Sequence, residues 1–306
     1  MNIDKLISRV LSVVETIGLS EITPQVLGNG GNLIIHLAPY PIVARLANIV
    51  SKDEAGQAYK RLHRELHVAR HLHFKNVPVL LPTELTDAGP YIVDGTWMTL
   101  WTYVPPVQLQ RPTPGEAVKL VDDLSKAMKD FVGELPALGV WERTAQSAER
   151  LMRSSDKRIH SLLTLFHKVD KQMRLETRFL IPCHGDAHAR NLVPSSAGWL
   201  WTDFEDVSLM PLYWDQASYV GNLLLFNGLD EPTFRYMLSN TDIIVDRKAF
   251  GFALTARILM STLGNLDYAV KGYGDMKFAD QQLELAEHVI SEIGQVVGNN
   301  RDMNSR

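Results

Sequence analysis

The segment Cys183-His184-Gly185-Asp186-Ala187-His188-Ala189-Arg190-Asn191, followed by Trp201-Thr202-Asp203-Phe204-Glu205-Asp206, constrains the fold most. It interrupts a region whose apolar residues otherwise recur at helical spacing. After Asn191 come Leu192-Val193, a Pro-Ser-Ser-Ala-Gly turn and Trp199-Leu200-Trp201. Two short apolar runs around such a turn read as a hairpin. A hairpin brings the chain back to its start, so Asp203 is expected beside the loop that carries Asp186 and Asn191. Gly185 permits a backbone conformation that a side chain would oppose.

The rest of the chain divides by periodicity. Ile3, Leu6, Ile7, Val10, Val13 and Val14 predict an amphipathic helix over residues 3–17. Three β-rich runs follow, at Ile22–Leu27, Leu33–Leu37 and Ile42–Ala47, joined by Gly28-Asn29-Gly30-Gly31-Asn32 and by Pro39-Tyr40-Pro41. They read as an antiparallel meander. A long helix is predicted over Asp53–His73. The Asp94-Gly95 turn predicts a hairpin of Tyr91–Val93 with Thr96–Val104.

The proline-rich stretch 104–114 reads as a linker. Beyond it helices are predicted at Glu116–Val132 and near 145–175, 213–226, 246–265 and 279–296. A chain of 306 residues exceeds most single cores, which stop growing near ~250–300 residues. The expected architecture is therefore α+β, with a β-rich N-terminal lobe (1–104) and a mainly helical C-terminal lobe (105–306).

Composition excludes several function classes. The net charge of −4 provides no basic footprint, so nucleic acid is not expected as a partner. The balance is compatible with a cationic small molecule, and Glu205, Asp206, Asp230 and Glu231 read either as an acidic rim for it or as ordinary surface charges. The single cysteine, Cys183, excludes an intrachain disulfide and fits a reducing compartment. Met1-Asn2-Ile3-Asp4-Lys5 lacks the basic and apolar blocks of a signal peptide. No apolar run approaches the ~20 residues of a membrane span. A cytoplasmic protein without a membrane partner is expected.

Asp186 and Asn191 are separated by four residues. In that spacing a carboxylate can orient a substrate hydroxyl and take its proton while a carboxamide oxygen holds a metal ion. With Asp203 as a second metal ligand, the set suits phosphoryl transfer, where positioning and charge neutralisation dominate.

His184-Gly185-Asp186-x-His188-x-x-Asn191, with Asp203-Phe204-Glu205-Asp206 following, resembles the aminoglycoside phosphotransferase and choline kinase superfamily. The resemblance implies a bilobal protein-kinase-like fold, ATP or GTP as donor, Mg²⁺, and a small-molecule hydroxyl as acceptor. It implies Asp186 as the catalytic base, Asn191 and Asp203 as metal ligands, and His188 near the transferred phosphate. His184 would stabilise the loop and Asp215 would brace it. Arg45 would contact nucleotide phosphates and pair with Glu65. Trp101 and Tyr103, within residues 99–104, match the hinge whose backbone meets the base. Ala189-Arg190 and Glu205 depart from the commoner patterns.

An argument from the helix itself supports the Arg45–Glu65 pair. Leu62, Leu66, Ala69 and Leu72 make an apolar stripe, and Glu65 falls within it. A carboxylate on a core-facing stripe is costly unless paired.

Plainer readings stand beside these. Gly28–Gly31 is not a Walker A loop, because no Gly-Lys-Ser/Thr follows. It is read either as a hairpin turn or as a nucleotide-covering turn through Gly28 and Gly30. Cys183 reads as a buried apolar residue. His63, His67 and His71 read as a solvated helix face. Two other functions remain open: a metal-dependent hydrolase built on His184, Asp186, His188 and Asp203, and a non-catalytic nucleotide-binding protein.

Overall fold

The computed structural model describes residues 3–29, 32–47, 52–175 and 177–298. Contacts group the chain into two compact units, Met1–Gln110 with Arg190–Glu205 and Arg111–Ala189 with Asp206–Arg306. A single cut after residue 104 does not describe this grouping. The hairpin after Asn191 belongs to the first unit, where Trp201 is bonded to the 78–80 segment: Leu80 N–H donates to the Trp201 carbonyl at 2.8 Å and Trp201 N–H to the Pro78 carbonyl at 2.9 Å.

In the first unit, helix α1 (Ile3–Thr16) precedes strands β1 (Thr23–Asn29), β2 (Asn32–Ala38) and β3 (Ile42–Ala47). Helix α2 (Lys52–Phe74) follows, then β4 (Tyr91–Val93) and β5 (Thr96–Thr102). The antiparallel sheet has the order β1-β2-β3-β5-β4. Side chains alternate across a strand. Ile42, Ala44 and Leu46 of β3 therefore share one face, packed with Leu6, Val10 and Val14 of α1. Ala47 on the other face packs with Ala58 and Leu62 of α2. Arg45 has the parity of Ala47, which turns it toward α2. The two hairpin strands β7 (Leu192–Ser195) and β8 (Gly198–Trp201) complete the unit.

The second unit is mainly helical. It holds α3 (Pro114–Met128), α4 (Gly139–Leu151), α5 (Lys157–Leu175), α6 (Trp214–Asn227), α7 (Pro232–Ser239), α8 (Arg247–Val270) and α9 (Met276–Gly298). Helix α8 is central and packs against α4, α6 and α9. Two three-residue strands, β6 (Ile181–Cys183) and β9 (Ser208–Met210), pair antiparallel with Cys183 opposite Ser208.

Three sequence expectations need correction. The helical region near 145–175 is two helices, because Asp156 accepts the Arg158 N–H at 2.8 Å and so starts α5 anew. Helix α7 was not anticipated. Its signal is Glu231-Pro232, with the Glu231 carboxylate accepting the Phe234 N–H at 2.7 Å and proline in the first turn. The third concerns apolar length. Helix α8 is long and apolar enough to cross a bilayer by length and composition, but 61% of that window is buried inside the fold. It serves as the core helix of its unit.

Candidate active site

The phosphate-side residues gather in the first unit around Arg45. Its Nη1 donates to Glu65 Oε2. Its Nη2 donates to Asp203 Oδ1 at 2.8 Å and to Glu205 Oε2 at 3.1 Å. One guanidinium on β3 thus ties α2 to the segment after β8, as a planar fork can and an ammonium cannot. Burial pulls the Arg45 pKa down, but Glu65, Asp203 and Glu205 together outweigh it and Arg45 holds its proton more firmly than usual. Glu65 is fully buried. Its Oε1 has no hydrogen-bond partner among the described residues. Burial pushes its carboxyl up, with Arg45 opposing.

Asp203 has φ of 66°, a left-handed conformation that aims its carboxylate back at the strand. Asn191 is buried, and its carbonyl accepts the Thr202 N–H at 3.0 Å across the hairpin. Asp203 and Asn191 both offer hard oxygen donors, the chemistry that suits Mg²⁺. The residues present therefore fit such an ion.

The remaining expected nucleotide contacts are placed as follows. Gly28 lies in β1, where the register to β2 shifts in a bulge. Gly30 lies outside the described residues. Trp101 is buried, with its indole N–H donating to Thr99 Oγ1 at 2.9 Å. Tyr103 stacks on His36 at 3.8 Å. The N–H groups of Thr102 and Tyr103 donate to Leu81 and Pro41, both at 2.9 Å.

The hydroxyl-side residues gather in the second unit. Pairing of β6 with β9 carries the chain into His184-Gly185-Asp186. Asp215, at the start of α6, accepts the N–H of His184 at 3.0 Å and of Gly185 at 3.1 Å. Burial pushes the Asp215 carboxyl up, with His184 and those two N–H groups opposing. The Trp214 indole N–H donates to the Gly185 carbonyl at 2.8 Å. The backbone of the loop is thus held from both sides by adjacent residues of one helix.

Gly185 is required twice over. Its φ is +90°, and a Cβ there would lie 2.1 Å from the Asp206 carbonyl oxygen. We expect Gly185→Ala to cost more than about 2 kcal/mol in a urea melt, because strained backbone and overpacking add. An unchanged midpoint would refute this.

Asp186 is half-buried and ion-paired through Oδ1 with Nη2 of Arg257, on α8. His188 Nε2 stands 3.3 Å from Asp186 Oδ2. Burial pushes the Asp186 carboxyl up, but Arg257 and His188 overcome that and hold it well below the usual carboxylate range. An ionised carboxylate is the form that can accept a hydroxyl proton.

Sequence reasoning missed Arg257. Its signal was a lone arginine inside the apolar run Phe250–Met260, a placement that demands a partner. It also missed Glu205 as a third partner of Arg45. The acidic rim suggested for a cationic acceptor is otherwise engaged. Glu205 pairs with Arg45, Asp206 with Arg143 at 2.6 Å and Asp230 with Arg235 at 2.6 Å, while Glu231 caps α7. Among the described residues no group of three His, Cys, Asp or Glu side chains converges as a metal-binding set. Cys183 is buried, and burial pushes its thiol well up, which leaves it unreactive.

No curated protein matches the sequence. Solved structures share the fold at low identity. Choline kinase LicA from Streptococcus pneumoniae is 15% identical with a TM-score of 0.63, covering 96% of this chain and 100% of its own. The GDP complex of aminoglycoside 2′-phosphotransferase-IIIa is 15% identical with a TM-score of 0.63, covering 95% and 99%. A choline/ethanolamine kinase family protein from Mesorhizobium loti is 13% identical with a TM-score of 0.62, covering 98% and 96%. The model of one phosphotransferase enzyme family, APH, matches residues 43–238. With that match over most of the chain, and with the Arg45–Glu65–Asp203 and Asp186–His188 sets built on a kinase-like fold, the protein belongs to the APH phosphotransferase family.

Proposed function

We propose that the protein transfers the terminal phosphoryl group of ATP, with GTP as the alternative donor, to a hydroxyl of a small molecule. The carrying observation is the Arg45–Glu65–Asp203 arrangement, in which a buried carboxylate fixes a guanidinium against a candidate metal ligand. A nucleotide donor is supported by the fold relative described as a GDP complex. Small hydroxylated acceptors are supported by relatives named choline, ethanolamine and aminoglycoside enzymes.

In this reading Arg45 binds phosphate oxygens, and Glu65 keeps its fork oriented. Asn191 and Asp203 would hold Mg²⁺, which supplies neutralisation of the phosphate charge when bound. Asp186 accepts a hydrogen bond from the acceptor hydroxyl and takes its proton late, as the bond to phosphorus forms. His188 stands beside it near the transferred group. We place the protein in the cytoplasm, consistent with its single buried thiol.

The test is ADP release from Mg-ATP or Mg-GTP by purified protein against a panel of amino alcohols, sugars and aminoglycosides, with Asp186→Ala as the blank. Acceptor-dependent release that the blank lacks is expected. Thermal stabilisation by Mg-ATP with no transfer to any acceptor would instead indicate a non-catalytic nucleotide-binding protein.

A further inference from the structure

We propose that Arg257 is the positioning residue that sets the orientation of the Asp186 carboxylate for the acceptor hydroxyl. The inference rests on the reading of Asp186 as the base of phosphoryl transfer.

Arg257 occupies an unusual place. It lies in the middle of α8 and is only 5% exposed. A guanidinium in such a position is costly unless its N–H groups are used. Nε donates to Ser218 Oγ at 3.1 Å, and Nη2 donates to Asp186 Oδ1. The aliphatic stem crosses α6 at Gly221, where a Cβ would stand 3.4 Å from Arg257 Cγ. The stem therefore packs directly on the α6 backbone side at this position. Ser218 and Gly221 are three residues apart, so they share a face of α6. Ser218 supplies an acceptor for the guanidinium, and the stem lies against Gly221.

The alternative is that Arg257 merely ties α8 to the loop. The loop backbone already has its own supports in Asp215 and Trp214. Arg257 makes no hydrogen bond to that backbone among the described residues. It reaches only the side chain of Asp186, so its effect falls on the carboxylate. His188 Nε2 also stands beside that carboxylate, 3.3 Å from Oδ2. Without Arg257 the carboxylate loses the buried, anchored cation that fixes Oδ1. Misplacing a reacting group by about 1 Å costs on the order of 100-fold in rate.

The test compares Arg257→Gln and Arg257→Lys with the wild type, using the best acceptor from the ADP-release panel. In Arg257→Gln, kcat is expected to fall by about 100-fold, while acceptor KM and Mg-ATP affinity stay within about threefold. Arg257→Lys is expected to recover part of the loss, since it keeps the charge but not the planar fork. A kcat within threefold of wild type in folded Arg257→Gln, or a loss carried wholly by KM, overturns the proposal. Should Arg257→Gln fail to fold, Ser218→Ala removes one anchor of the guanidinium and is expected to lower kcat by about threefold or more; an unchanged kcat there overturns it equally. Crystal structures supply an arm independent of turnover. The Asp186 side chain is expected to leave its wild-type rotamer in Arg257→Gln, and an unmoved rotamer sinks the proposal. If the rotamer moves while the wild type transfers phosphate to no acceptor, the functional reading fails and the positioning contact stands.

Discussion

Asp186→Ala is expected to abolish acceptor-dependent phosphoryl transfer while Mg-ATP binding persists. A positioned acid–base group contributes about 10²–10⁴-fold in rate. In the proposed mechanism nucleotide affinity belongs to Arg45, Asn191 and Asp203 rather than to Asp186. The alanine variant also strands Arg257, a buried cation that would lose its carboxylate partner. Breaking such a pair costs about 3–5 kcal/mol, so the loss of activity could be confused with unfolding. Asp186→Asn resolves this, because its amide oxygen can still accept from Arg257. The asparagine variant should melt within a few degrees of wild type, bind Mg-ATP by calorimetry, and lose kcat by about 10²-fold or more. Near-normal kcat in either variant would remove Asp186 from the mechanism.

Arg45→Met is expected to be the most destabilising change in the first unit. It leaves Glu65 fully buried without its guanidinium partner, with one oxygen already unpartnered among the described residues. The cost should be about 3–5 kcal/mol, read as a lower urea midpoint, together with loss of Mg-ATP binding. The double variant Arg45→Met/Glu65→Leu separates the two effects. Replacing both members of a buried pair by apolar groups restores packing without a stranded charge. Most of the stability should return in the double variant while nucleotide binding does not. A single variant that loses under 1 kcal/mol would show that the pair is not a structural constraint. A double variant that binds Mg-ATP as wild type does would show that Arg45 does not contact phosphate.

These two predictions differ in how they were reached. The spacing of Asp186, Asn191 and Asp203 was legible because a six-residue loop and a tight hairpin are local. Arg45 and Glu65 were legible for another reason. The apolar helix stripe exposes Glu65 as a misfit, a charge on a buried face, and the family resemblance supplies Arg45 as its partner. Arg257 was not legible as a partner of Asp186. They lie 71 residues apart in sequence, and no period or turn links α8 to the loop. Glu205 was visible only as a departure from a commoner residue, and its role as a third partner of Arg45 needed coordinates. The break at 152–156 and helix α7 were missed because a capping carboxylate acts over three residues, too short to register against a helical period.

By itself the sequence determined the α+β class, the sheet order's starting meander, the loop with Asp186 and Asn191 and the hairpin leading to Asp203, and the buried pair of β3 and α2. Each follows from short-range constraints: side-chain alternation, helical period, turn chemistry and the cost of an unpaired buried charge. Tertiary structure alone decided which cation holds Asp186, which unit the hairpin after Asn191 joins, and that the acidic residues at 206, 230 and 231 are already engaged. Those outcomes depend on contacts between elements distant along the chain. Such contacts are settled by packing and charge pairing together, and neither leaves a periodic trace in the sequence.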